Sequence, residues 1–108
     1  MGERSKATFT LKLEQQRRAL EERQKSVRTE FIQVELELAI TFCQIALCSG
    51  DREKIERNQA HAREAHESAL RFLSTIAPAE PIKKEIERKL EHLQKLLDEV
   101  TKNQRELL

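Results

Sequence analysis

Cys43, Cys48, His61, His66 and His92 are the side chains of this 108-residue chain best suited to metal ligation or nucleophilic chemistry. Their spacing argues against both. Residues five apart on a helix point about 140° away from each other, so Cys43 and Cys48 diverge, as do His61 and His66. Metal pairs on helices stand three or four apart, and redox pairs form CxxC. The two cysteines read as small apolar fillers, with Cys48 the more exposed, and the histidines as surface or bundle-edge residues. Glu64 and Glu67 are the nearest approach to a di-iron pattern, but that pattern needs Glu-x-x-His on two helices. Glu35 is the one carboxylate that an apolar interface could enclose; otherwise it reads as a bundle-edge charge. Two glycines in the whole chain leave no phosphate-cradling loop. No catalytic, cofactor-binding or metal-ligating residue stands out, and the chain reads as non-enzymatic.

Arg17, Arg18, Arg23, Lys25 and Arg28 form the best candidate for a nucleic-acid patch. Residues 1–28 hold eight Lys or Arg against four Glu, whereas 29–50 hold three Glu and no base. With counter-charges interspersed and no Trp or Tyr to stack on bases, this patch reads as a solvated helix face. Weak non-specific nucleic-acid binding stays as a minor alternative. There is no uninterrupted apolar run of membrane-spanning length, and MGERSKATFT has no signal-peptide core. Gly2 invites myristoylation, but Lys6 stands where that pattern prefers Ser or Thr. The expectation is a cytoplasmic protein with no membrane contact.

The elements that would carry these side chains are helices. Apolar residues recur every seven positions in three stretches: Leu13, Leu20, Val27 and Val34; Ile55, Ala62, Ala69 and Ile76; Ile86, Leu93, Val100 and Leu107. Each set lines one stripe of a helix. Beyond residue 2 the turn formers are Gly50, Pro78 and Pro81, which fall between the stretches. The spacing predicts an all-α, antiparallel three-helix bundle in a single domain, 1–108. Helix one covers about 8–48, with a bend near Ser26 left open; helix two about 52–76; helix three about 81–105. Residues 1–7 are expected to be disordered and 8–28 to form a projecting arm.

Helix one has two unlike halves. Between Glu14 and Ser26 only Ala19 and Leu20 are apolar, whereas between Phe31 and Leu47 twelve of seventeen residues are. In that second half Gln33, Glu37, Thr41 and Gln44 form one polar strip. A strand competes, because Ile32, Val34, Leu36, Leu38, Ile40 and Phe42 alternate with other residues. Helix wins over 31–47, where no turn signal bounds the run and Glu, Leu, Ala and Gln favour helix; for 7–13 both stay open. Gly50 suits a left-handed position past a helix end, and Asp51 can cap the next helix. Ala62, Ala65 and Ala69 let helices one and two approach closely. Glu-to-base pairs four apart, Glu14–Arg18 and Glu21–Lys25 among them, add about 0.2–0.5 kcal/mol each.

Leu38-Ala39, the turn Ser49-Gly50-Asp51-Arg52-Glu53-Lys54, and the Ala62, Ala65, Ala69 stripe together are similar to a tetratricopeptide-repeat hairpin over residues 36–76. The third helix starting at Pro81 resembles the microtubule-interacting-and-transport domain. Both families hold peptides or helices in grooves between their own helices, so the resemblance implies a binding module.

The leading expectation is an interaction or scaffold protein that self-associates through helix one, as a homo-oligomer and in the first instance a dimer. The surface expected to do this comprises Leu13, Leu20, Val27, Phe31, Val34, Leu36, Leu38 and Phe42. The alternative is an adaptor holding a partner's amphipathic helix or peptide in an inter-helix groove.

Overall fold

A computed structural model of the chain describes the backbone of residues 2–107 and the side chains of residues 6–106. Three helices account for nearly all of it: α1 (Gly2–Cys48), α2 (Arg52–Leu73) and α3 (Glu80–Leu107). At 1.5 Å per residue these are about 70, 33 and 42 Å long. The molecule measures 80 × 24 × 17 Å, a rod set by its first helix.

Helix α1 is uninterrupted through Ser26 and starts at Gly2, so residues 2–7 continue the helix rather than lying outside it. Nothing in that segment breaks a helix, and the Thr10 hydroxyl donates to the Lys6 carbonyl at 2.8 Å. Residues 7–13, where an extended backbone competed in sequence, are helical. Only Met1 of the expected disordered stretch lies outside the described residues.

The first connection meets expectation at Asp51 and departs from it at Gly50. No described glycine has positive φ, so Gly50 supplies no left-handed cap. The reversal is made by polar side chains. The Ser49 hydroxyl accepts from the Asp51 amide at 3.2 Å. Asp51 is extended, at φ −94° and ψ 116°, and its carboxylate accepts from the Glu53 amide at 3.0 Å. Helix α2 ends at Leu73, three residues earlier than Ile76. There the Ser74 and Thr75 hydroxyls donate to the carbonyls of Arg71 and Phe72 at 2.6 and 2.7 Å. Serine and threonine compete in this way with helix continuation. Ala77 precedes Pro78, which disfavours helical geometry there, and Pro81 sits in the first turn of α3, where its missing amide is harmless.

One core runs along half of the rod. It takes Ile32, Leu36, Ala39, Cys43 and Ala46 from α1; Ile55, Ala62, Ala65 and Ala69 from α2; and Ile86, Leu93, Leu97 and Val100 from α3. The alanine stripe of α2 brings its axis close to α1, and this is the most extensive helix pair; α2 and α3 meet only sparsely. Phe31 and Phe72 pack at the far end of the α1–α2 pair, their ring centroids 4.6 Å apart. Two polar ties complete the body. Buried Gln59 donates to the Thr101 hydroxyl at 3.0 Å, linking α2 to α3. Lys89 of α3 donates to Gln33 and Glu37 of α1, the latter at 2.9 Å.

Candidate functional site: an uncovered stripe along α1

Helices α2 and α3 cover α1 only from Thr29 onward. Of the described side chains before Thr29, Glu14 alone is even half-buried, so residues 6–28 form a bare arm. Seen down the axis, Phe9, Leu13, Leu20, Val27, Phe31, Val34, Leu38 and Ile45 fall within about 60° of one another at 100° per residue. Each is between 39% and 65% exposed. Within that sector, from Phe9 to Ile45, Gln16 is the only polar residue. The core residues of α1 lie on the far side of the helix. The arm's narrow apolar seam, interrupted in this sector by Gln16, therefore lines up with the outer face of the folded body.

Six of the eight residues expected on this surface are placed on it: Leu13, Leu20, Val27, Phe31, Val34 and Leu38. Leu36 is not. It has no exposed surface and sits in the core, because it shares a face with Ile32, Ala39 and Cys43 and not with Leu38. Phe42 is half-buried on the flank of the stripe, its ring centroid 5.2 Å from that of His61. Phe9 and Ile45 also belong to the stripe. A signal for Ile45 was present in sequence, since Phe31, Leu38 and Ile45 follow one another at intervals of seven. Leu11 is exposed but points away from the stripe.

The side chains suited to chemistry are dispersed. Both cysteines are free; Cys48 is exposed and Cys43 buried, and desolvation by burial pushes the Cys43 thiol up to about 11. A thiol so placed is a poor source of thiolate. His61 Nδ1 lies 3.9 Å from the Glu64 carboxylate on an exposed surface. Among the described residues no group of three or more His, Cys, Asp or Glu could hold a metal ion. In the basic arm, Glu14 and Glu21 close on Arg17, at 3.1 and 4.0 Å, and not on Arg18 and Lys25 as the four-residue spacing suggested. Arg17, one turn from each, draws both carboxylates.

Among the surface grooves that flank the stripe, two lie beside its middle part. One of about 560 Å³ lies between α1 and the α2–α3 connection and includes Val34, Ile82, Glu30 and Lys25. The other, about 350 Å³, is bordered by Glu35, Leu38, Phe42 and Arg71. Residues 31–48, with only Glu35 and Glu37 charged, have a mean hydropathy of 1.6 and are long and apolar enough to cross a membrane by length and composition. The expectation of no such segment looked for an unbroken apolar run, which this stretch lacks. In the fold 28% of it is buried. No protein-family model, curated protein or solved structure matches the chain.

Proposed function

We propose that this is a non-enzymatic, cytoplasmic interaction protein that self-associates through α1, with a dimer as its working form. The observation that carries the reading is the stripe from Phe9 to Ile45, eight exposed apolar side chains on one face of a single helix. Apolar side chains scattered singly over a surface need no explanation, but a contiguous set marks an interaction site. The stripe also keeps heptad spacing, which suits a second helix packed along it. The cytoplasmic reading draws support from the use of residues 31–48 inside the fold. They give five residues to the core, and Glu37 meets Lys89 at 2.9 Å.

Sedimentation velocity at micromolar concentration tests this. The expected species has twice the 12.6 kDa chain mass. Leu20→Asp and Val27→Asp should each give monomers of unchanged helicity, since neither side chain touches the core. A wild-type chain that sediments at 12.6 kDa across the micromolar range would refute the proposal.

A second reading has one observation in its favour, the groove of about 560 Å³ beside Val34 and Ile82. A partner's peptide or amphipathic helix could seat there, in the manner of the helical-hairpin families the sequence resembles. That partner would be lost on Ile82→Asp and retained on Leu20→Asp. The self-association reading predicts the opposite pattern.

A further inference from the structure

The charges that border the stripe bear on how two copies would meet, an inference that rests on the self-association reading above. Written as a heptad, the stripe places Leu13, Leu20, Val27 and Val34 at d, and Arg17, Gln24, Phe31 and Leu38 at a. The flanking e positions then fall on Glu14, Glu21, Arg28 and Glu35, and the g positions on Arg23, Glu30 and Glu37. All of these flanking residues except half-buried Glu14 and Glu35 are exposed. Charges at e and g set partner choice and orientation in paired helices.

In a parallel, in-register pair each g residue faces the e residue five positions on in the partner. Arg23 would then face the partner's Arg28, and Glu30 the partner's Glu35. Arg17 would stack on its own copy in the seam. Like charges oppose one another at every charged pair, and two guanidinium groups meet in the interface.

Reversing the partner removes these conflicts. In an antiparallel pair g faces g and e faces e, while each a residue packs against a d residue. With the two-fold axis between Lys25 and Ser26, Arg23 faces the partner's Glu30 and Glu21 faces the partner's Arg28. By symmetry each pair occurs twice. Leu13 packs on the partner's Leu38, and Leu20 on the partner's Phe31. Arg17 and Gln24 each meet a valine. The one opposed pair is Glu14 with the partner's Glu35, and Glu14 already holds Arg17 at 3.1 Å. Sliding the partner by one heptad puts Arg28 against Arg28, Glu30 against Glu30 and Glu21 against Glu35.

We infer that two copies associate as an antiparallel α1 pair centred between Lys25 and Ser26, so that the bare arm of each lies along the outer face of the other's folded body. Each arm thereby finds the cover its own α2 and α3 do not provide. The groove between α1 and the α2–α3 connection borders the stripe at Glu30 and Val34, while Leu20, Val27, Leu38 and Ile45 stay exposed beside it for the partner's helix.

Disulfide trapping reads the orientation. In a Cys48→Ser background, Leu13→Cys and Leu38→Cys chains are oxidised singly and as a mixture. The antiparallel pair gives a cross-linked dimer in the mixture and almost none from either chain alone, because Leu38 lies about 37 Å along the axis from its own copy. Cross-linking of each chain with itself would overturn the inference in favour of a parallel pair. Linkage of Leu13→Cys to Ile45→Cys in place of Leu38→Cys would overturn this register. Arg23→Glu supplies a second sign: about a three- to tenfold weaker dimer if antiparallel, reversed by adding Glu30→Arg, and a tighter dimer if parallel. A dimer by sedimentation with no 13–38 linkage sinks this inference alone, whereas a monomer by sedimentation sinks the self-association reading with it.

Discussion

Leu36 and Leu38 are two residues apart on α1, yet the structure gives them opposite roles, and truncating each to alanine separates those roles. Leu36 has no exposed surface, while Leu38 is 43% exposed. Leu36→Ala removes three carbons from a packed site. At about 0.8 kcal/mol per methylene the transfer loss alone is about 2.4 kcal/mol, and the residual cavity brings the total to about 2.7–5 kcal/mol. That is a large share of the ~5–15 kcal/mol that holds a domain together. Leu38→Ala removes the same carbons from a site already 43% exposed, so its cost to the isolated chain should be about 1.4 kcal/mol at most, with no closed cavity to add to it. The assay is urea denaturation followed by circular dichroism at two protein concentrations, one below and one above the association range. Leu36→Ala should lower the midpoint at both. Leu38→Ala should lower it by much less at the lower concentration, and by an additional amount at the higher one, where the proposed pairing would cover the stripe. Equal losses at low concentration would refute the assignment of Leu38 to the outer face.

Other outcomes follow from the same geometry. Gly50 has neither positive φ nor any atom within 4 Å of where a Cβ would stand, so Gly50→Ala should be neutral or stabilising by up to about 1 kcal/mol, measured by thermal melting. Asp51→Ala removes the cap on the Glu53 amide and should cost about 0.5–2 kcal/mol in the same experiment. Gln59→Ala leaves the Thr101 hydroxyl without its donor and should cost about 1–2 kcal/mol; Gln59→Leu, which fills the site, should cost less if packing and not the hydrogen bond dominates. Burial raises the Cys43 thiol from 9.0 to about 11. The thiol of the unfolded chain therefore ionises first, and the stability it contributes is complete below pH 9 and lost as pH climbs to about 11. Cys43→Ala should flatten that part of the pH profile. A thiol reagent at neutral pH should modify Cys48 at once and Cys43 only on unfolding.

The seven-residue spacing of Leu13, Leu20, Val27 and Val34 was enough to place the arm and its seam, because nothing else in the chain is long enough to cover them. The role of Leu36 was not legible. Between Phe31 and Leu47 apolar residues occupy nearly every direction around the helix, and which of them turn inward depends on where α2 and α3 lie. Ile32, Ala39 and Cys43 share its face, but that face is recognisable as internal only once the alanine stripe of α2 lies against it. The helix ends were legible in part. Asp51 caps α2 as its type and place predict, whereas Gly50 is not the left-handed cap it resembled, and the Ser49 hydroxyl helps make the turn in its place. The early end of α2 depends on two hydroxyls, Ser74 and Thr75, whose competition with the helix is settled by the proline three residues beyond.

The sparse meeting of α2 and α3 has a consequence for how this molecule comes apart. Each packs on α1 far more than on the other, so α1 is the spine through which the two communicate, and the Gln59–Thr101 bond is a single buckle between them. Loss of α3 would leave an α1–α2 hairpin with its closest packing intact. Amide exchange should then rank the chain in three tiers: slowest where α1 and α2 face each other around Ala39 and Ala62, faster along α3, and fastest in the arm of a dissociated subunit. Docking of each arm on a partner's folded body would move that last tier toward the first, making the least protected quarter of the chain a direct gauge of whether a mate is present.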